Sequence, residues 1–190
     1  MIRHLPGDRR HKAVSRLKTH TIISRRINAM DSRLKPAALH FALCENFFMR
    51  SLEGLSADEL LKSPGEHSNC MLWIAGHLTS SRSRMLDMLG VKIDAPSAQI
   101  FNRGAAKIAG DSGAPGIDEI LKAYGQCTQA LKERLETLTA PELDAVSPVQ
   151  LPSEDKSILG TLNFMAFHET YHTGQMAFLH TWLGKGQLVG

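Results

Sequence analysis

Within the apolar stretch 164–184, FMAFHETYHTGQMAFLHTWLG, His168 and His172 stand four residues apart, a spacing that places both imidazoles on one face of a helix. A single histidine on such a face is ordinarily a core residue bonded to a neighbour. Two of them one turn apart need a shared explanation, because each brings ring nitrogens that are costly to bury unpaired. The spacing points to a metal-ligand pair, with a polar helix face as the plainer reading.

The rest of the sequence supplies the surroundings of that helix. Leu39, Ala42, Leu43, Phe47 and Leu55 recur at helical steps and predict a first helix between Leu34 and Leu55, broken by Gly54. Ser56 to Glu59 caps a short helical turn that Pro64 and Gly65 stop. A second helix is expected from a Ser68-Asn69 cap through Met71, Ile74, Ala75, Leu78, Met85 and Leu89 to Gly90, carrying His77. Residues 91–116 hold too many glycines and prolines for regular structure and read as a long crossover. Asp118 to Leu138 forms a third helix that ends before Pro141, and an irregular stretch runs to Pro152. The last helix is capped by Ser157 and stopped by Gly184, with its Phe, Met and Leu side chains read as core packing. The expected fold is all-α, a four-helix bundle with a long crossover between the second and third helices.

At 190 residues the chain suits one core, and no apolar run approaches the roughly 20 residues that a membrane helix needs. Cys44, Cys70 and Cys127 are odd in number and widely spaced, which suggests neither a disulfide framework nor a zinc knuckle and fits a reducing cytoplasm. Neither a GxxxxGK[ST] loop nor a GxGxxG turn occurs, so nucleotide binding has no support. Charge is unevenly distributed: residues 1–35 contain ten Lys/Arg against two acids, and residues 36–190 twelve against seventeen. Such a basic segment suits nucleic acid, a membrane surface or an organelle transit peptide. The plainer reading, taken here, divides the chain into a basic leader (1–33), disordered or an upstream extension ahead of Met30, and the bundle (34–190). No nucleic acid or membrane partner is expected for the bundle.

HETYH also satisfies the HExxH pattern of zinc peptidases, in which the glutamate is the general base. Those enzymes need a third ligand, yet no acid follows Glu169, and Gln175 and Phe178 stand where the longer HExxHxxGxxH motif requires glycine and histidine. His180 is a poor third ligand, being eight residues from His172 and about 12 Å along the axis. His77, beside a Gly76 that allows a neighbouring helix to approach, is the better source. Three histidines leave a metal ion an open position, as in catalytic sites. His4, His11, His20, His40 and His67 read as solvated. Glu169, about 100° from His168 around the helix, is expected to be an exposed carboxylate. Glu169 and Gln175 are the candidates to orient a ligand or a water, Tyr171 is read as structural, and Cys70 as a packing or helix-start residue.

The segments LSADELLKSPGE, LWIAGHL with MLDMLG, and LNFMAFHETYHTGQMAFLHTWLG resemble the DinB-like superfamily over roughly residues 34–185, most specifically in the tail HxxYHxGQ. The resemblance implies an up-down-down-up bundle, a zinc or nickel ion held by His77, His168 and His172, and a homodimer. It implies no single activity. Some relatives are transferases or isomerases that use bacillithiol, mycothiol or glutathione, and others resemble metal hydrolases. Two readings are therefore carried forward: a metal-dependent enzyme of thiol S-transfer or hydrolysis on a small molecule, and a non-catalytic bundle with a structural ion.

Overall fold

The computed structural model describes residues 30–102, 104–106, 108 and 113–188. Its long helices are α1 (Lys35–Leu52), α3 (Met71–Met88), α4 (Ile117–Thr137) and α6 (Ile158–Trp182), with short helices α2 (Ala57–Leu61) and α5 (Ala140–Asp144) between them. The described residues contain no strand, only an isolated bridge between Val146 and Ser157. The chain is thus an all-helical bundle, as its periodicity predicts.

The helix ends follow capping chemistry. The Ser56 side chain accepts from the Glu59 amide while Glu59 reaches back to the Ser56 amide, closing a capping box on α2. Ser157 Oγ accepts from Gly160 N at the start of α6. Gly90 and Gly184 follow α3 and α6 with φ of 81° and 78°, the left-handed conformation that ends a helix most cheaply in glycine. The second helix starts at Met71 with Cys70 as its N-cap, one residue beyond the expected Ser68-Asn69 cap. The stretch read as irregular between the third and last helices contains α5, which Thr139 and Glu142 cap reciprocally.

Contacts between helices fix their directions. The starts of α1 and α6 share a cluster through Leu34, Phe41, Ile158 and Leu162, and the ends meet where Ser51 bonds His180, so the two run parallel. α3 and α4 also run parallel: Ile74 and Tyr124 share one cluster, Leu86 and Leu131 the other. Arg82 reaches the carbonyl of Phe41 near the start of α1, which makes the pairs antiparallel to one another. This is the up-down-down-up order, and it requires the long crossover from α3 to α4. That crossover is not featureless, because Ala98–Phe101 forms a 3-10 turn that buries Phe101 completely.

Two expectations about helix faces are corrected. Leu39 and Leu43 on α1 are 59% and 50% exposed, and the buried face is instead Ala37, Phe41, Cys44, Phe48 and Ser51. On α6, Phe167 and Phe178 are 64% and 60% exposed and so do not belong to the core. Both helices are apolar on two faces, and periodicity alone does not say which faces inward. Of the basic leader, residues 1–29 lie outside the described residues. Met30 packs against the core and Arg33 pairs with Asp144 at 2.6 Å.

Between the two apolar clusters lies a buried polar layer. Arg82 donates to both carboxylate oxygens of Glu169, at 2.8 and 2.7 Å, to Thr128 Oγ1 and to the Phe41 carbonyl, and its guanidinium lies 4.4 Å from the Tyr124 ring centroid. Burial opposes the charge on Arg82, but the Glu169 carboxylate more than offsets it and holds the group protonated. Glu169 is 0% exposed, so the expectation of a solvent-facing carboxylate is overturned. Twelve consecutive residues, Met71 to Arg82, are buried, and an arginine in such a run requires an acidic partner. Removing one partner strands the other, at a cost of about 3–5 kcal/mol. Glu169→Ala and Arg82→Ala are each expected to lose that much in chemical denaturation, and Arg82→Met with Glu169→Leu to lose much less than their sum. Additive losses would show that the two charges are not coupled.

Candidate metal centre

His77 lies midway along α3, and His168 and His172 one turn apart on α6. Antiparallel packing of these helices brings one ligating nitrogen from each of the three imidazoles within 4.8 Å of the others. The ring centroids are separated by 5.1 Å (His77–His168), 4.7 Å (His77–His172) and 4.5 Å (His168–His172).

The orientation of each ring has an identifiable cause. His77 Nδ1 is 2.7 Å from the carbonyl of Phe101. A carbonyl only accepts, so the proton sits on Nδ1 and Nε2 keeps its lone pair. Trp73 stacks on the same ring at 4.8 Å. His172 Nδ1 is 2.7 Å from Gln175 Oε1, while Gln175 Nε2 reaches Tyr171 Oη at 3.3 Å, an arrangement that leaves His172 Nε2 free to ligate. His168 Nε2 lies 3.1 Å from His77 Nε2, and its Nδ1 is buried without a hydrogen-bond partner among the described residues. Converging imidazole lone pairs backed by oriented protons, together with an orphaned ring nitrogen, form a donor set that suits a borderline divalent ion.

Gly76 does not admit a neighbouring helix, as the sequence suggests, but the ring of Phe101. A Cβ on Gly76 would clash with that ring, so the glycine allows the crossover to settle on α3 and present the carbonyl that orients His77. The remaining residues divide plainly. Gln175 meets His172 as described, whereas Glu169 points into the core toward Arg82 and takes no part in the cluster. A peptidase base at this position is thereby removed. His180 bonds the Ser51 carbonyl at 3.0 Å, and His40 and His67 are exposed. His4, His11 and His20 lie outside the described residues. Burial raises the Cys44 thiol, pushes Cys127 up to about 11, and leaves neither as a nucleophile at neutral pH. Sequence reasoning missed Phe101, which acts through its backbone oxygen, and Arg82, which stands among Thr79, Ser80, Ser81 and Ser83 and so carries no sequence signal of burial.

One side of the cluster opens on a cavity of about 290 Å³, lined by His77 and His168 and otherwise chiefly by apolar side chains. Among the described residues that line it there is no carboxylate, and Arg84 is the one with a formal charge.

The DinB superfamily model matches residues 40–176, more than half of the chain. The protein therefore belongs to the DinB superfamily. Among curated proteins, none matches the sequence.

Burial, followed by the neighbouring His172, His77 and Arg84, holds His168 down to about 3. His172 is lowered to about 4, by burial and His77 against the opposing Gln175 bond, and His77 is lowered chiefly by burial. Because the unfolded chain protonates these groups near 6.5 and the folded one far below it, the metal-free protein loses stability as pH falls from about 6.5 toward 4. Above 6.5 this contribution is flat. Protons compete for the folded ligands only at low pH, so release of a bound ion, followed by a chelating dye, is expected with a midpoint below about 5. A midpoint near 6.5 would mean that the histidines titrate as in solvent.

Proposed function

We propose that His77, His168 and His172 hold one divalent ion, zinc or nickel, and that the protein is a metal-dependent enzyme acting on a small molecule. The observation that carries this reading is the cavity against the histidine cluster, since a purely structural ion needs no adjoining pocket. When bound, the ion supplies a Lewis acid that favours the anionic form of a thiol or a water at neutral pH.

The side chains divide the remaining work. Phe101 and Gln175 hold the ring protons of His77 and His172 away from the ion side. The cavity wall beside His77 and His168 is chiefly apolar, with Met85, Met88 and Met165 among its residues. With Glu169 locked to Arg82 and no carboxylate on the cavity, the described residues offer no general base beside the site. That absence favours transfer of a low-molecular-weight thiol such as bacillithiol, mycothiol or glutathione over hydrolysis, because a thiol ionises far more readily than water. The alternative is a non-catalytic bundle with a structural ion. Cytoplasmic residence belongs to the same reading, from the unpatterned cysteines and the need for reduced thiols.

Metal content after cobalt loading tests the site: one ion per chain is expected for the wild type, with large losses in His77→Ala and His168→Ala. Full retention by both variants would contradict the triad. Added thiol is expected to change the visible spectrum of the cobalt form. If no thiol does so, and no ester, amide or thiol acceptor turns over above the metal-free control, the structural-ion reading prevails.

We also infer that a second copy of the chain is the macromolecular partner. α6 contains no lysine, arginine or aspartate, and its one glutamate is buried, so its outer stripe of Phe167, Tyr171, Phe178 and Trp182 is uncharged. Leu39 and Leu43 add exposed apolar surface on α1, which packs against α6. A twofold axis would set this surface against itself. Light scattering is expected to give twice the chain mass of 20.9 kDa, and Phe167→Lys with Phe178→Glu to give a folded monomer. A monomeric wild type would refute the dimer.

A further inference from the structure

Two arginines two residues apart on α3 have opposite surroundings. Arg82 is buried and neutralised by Glu169, whereas Arg84 is exposed at the mouth of the cavity beside the histidines. Its guanidinium donates to Asn102 Oδ1 at 2.6 Å and to Ser81 Oγ at 3.4 Å, both neutral groups. Among the described residues no carboxylate lies within ion-pairing distance of it. Asn102 directly follows Phe101, so one short piece of the crossover orients both His77, through a carbonyl, and Arg84, through a side-chain amide.

The chemistry of the cavity is one-sided. Met85, Met88, Leu151, Phe164 and Met165 make most of its wall apolar, and three of the five are methionines, whose flexible thioethers adapt to a ligand's shape. Its formal charge comes from Arg84, and the neutral imidazoles would leave a divalent ion its full charge. Among the described lining residues, none carries a negative charge to compensate either cation. A ligand suited to this cavity has an apolar body and a negative group, and a volume of about 290 Å³ holds roughly ten non-hydrogen atoms at the ~30 Å³ that each water occupies in the liquid.

We propose that the cavity binds a small carboxylate with an apolar body, its carboxylate paired with Arg84 and its body laid along the methionine-rich wall beside His77 and His168. The pairing is charge-assisted, and arginine's fixed fork can meet both carboxylate oxygens. Arg84 thereby sets substrate class while the histidine cluster sets chemistry. This assignment rests on the reading of the histidines as the reactive centre, but binding to the cavity does not need the ion.

The test compares octanoate with octanol by calorimetry on the full chain, with and without bound zinc. Octanoate is expected to bind the zinc-free wild type about tenfold more tightly than octanol or better, a margin that one charge-assisted bond supplies. Arg84→Gln is expected to abolish the preference, Arg84→Lys to restore part of it, and Met165→Trp, which fills the cavity, to remove binding of both probes. The last variant separates the cavity from the apolar outer face of α1 and α6. Equal affinity for the two probes, a preference that survives Arg84→Gln, binding that survives Met165→Trp, or no binding of octanoate would each overturn the proposal. Zinc stoichiometry, measured on the same samples, reports separately on the histidine reading, so either can fail while the other stands.

Discussion

The buried pair of Arg82 and Glu169 is the constraint on which the site depends. Glu169 lies between His168 and His172 in sequence, and Arg82 five residues beyond His77, so the ion pair joins the same two helices that carry the histidines. Sliding α6 by one turn against α3 would leave both charges buried and unpaired, at several kcal/mol per ion. The hydrogen bonds to Thr128 and Phe41 extend the tie to α4 and α1. All four long helices are therefore held to one register at the level where the two apolar clusters meet. The histidine cluster, with its separations near 5 Å, needs such a register.

The same pair determines the electrostatics of the site. An HExxH sequence ordinarily supplies both ligands and a base. Here the glutamate is taken by the core, and what remains beside the cavity among the described residues is a set of neutral imidazoles and one arginine without a facing carboxylate. Positive charge without a facing carboxylate is the electrostatic basis of both the proposed thiol chemistry and the proposed anionic ligand. Depressed histidine pKa values belong to the same picture, since burial keeps the imidazoles in their ligating, neutral form across the physiological range.

Much of this was legible in the sequence, for physical reasons that vary by residue. The i,i+4 pair of His168 and His172 is visible because a helix converts spacing into direction, and helix ends are visible where Ser56, Ser157, Gly90 and Gly184 do their capping. His77 could be singled out because a histidine in the middle of an apolar helix needs a partner. The direction of Glu169 was not legible: a carboxylate 100° from a ligand faces either solvent or a neighbour, and only the position of Arg82 decides. Nor were the inward faces of α1 and α6, where Leu39, Leu43, Phe167 and Phe178 are as apolar as the residues that pack. The role of Phe101 depends on a backbone carbonyl delivered by a crossover that looks irregular in sequence, and the only hint of it was the glycine at position 76.

X-ray absorption at the metal edge of the zinc- or nickel-loaded protein addresses the histidine centre most directly, because imidazole rings give a characteristic multiple-scattering pattern that can be counted. Three imidazole ligands and no protein carboxylate are expected, with one imidazole lost in His77→Ala. A spectrum fitted by fewer imidazoles, or unchanged by that substitution, would contradict the assignment of His77, His168 and His172 as one metal centre.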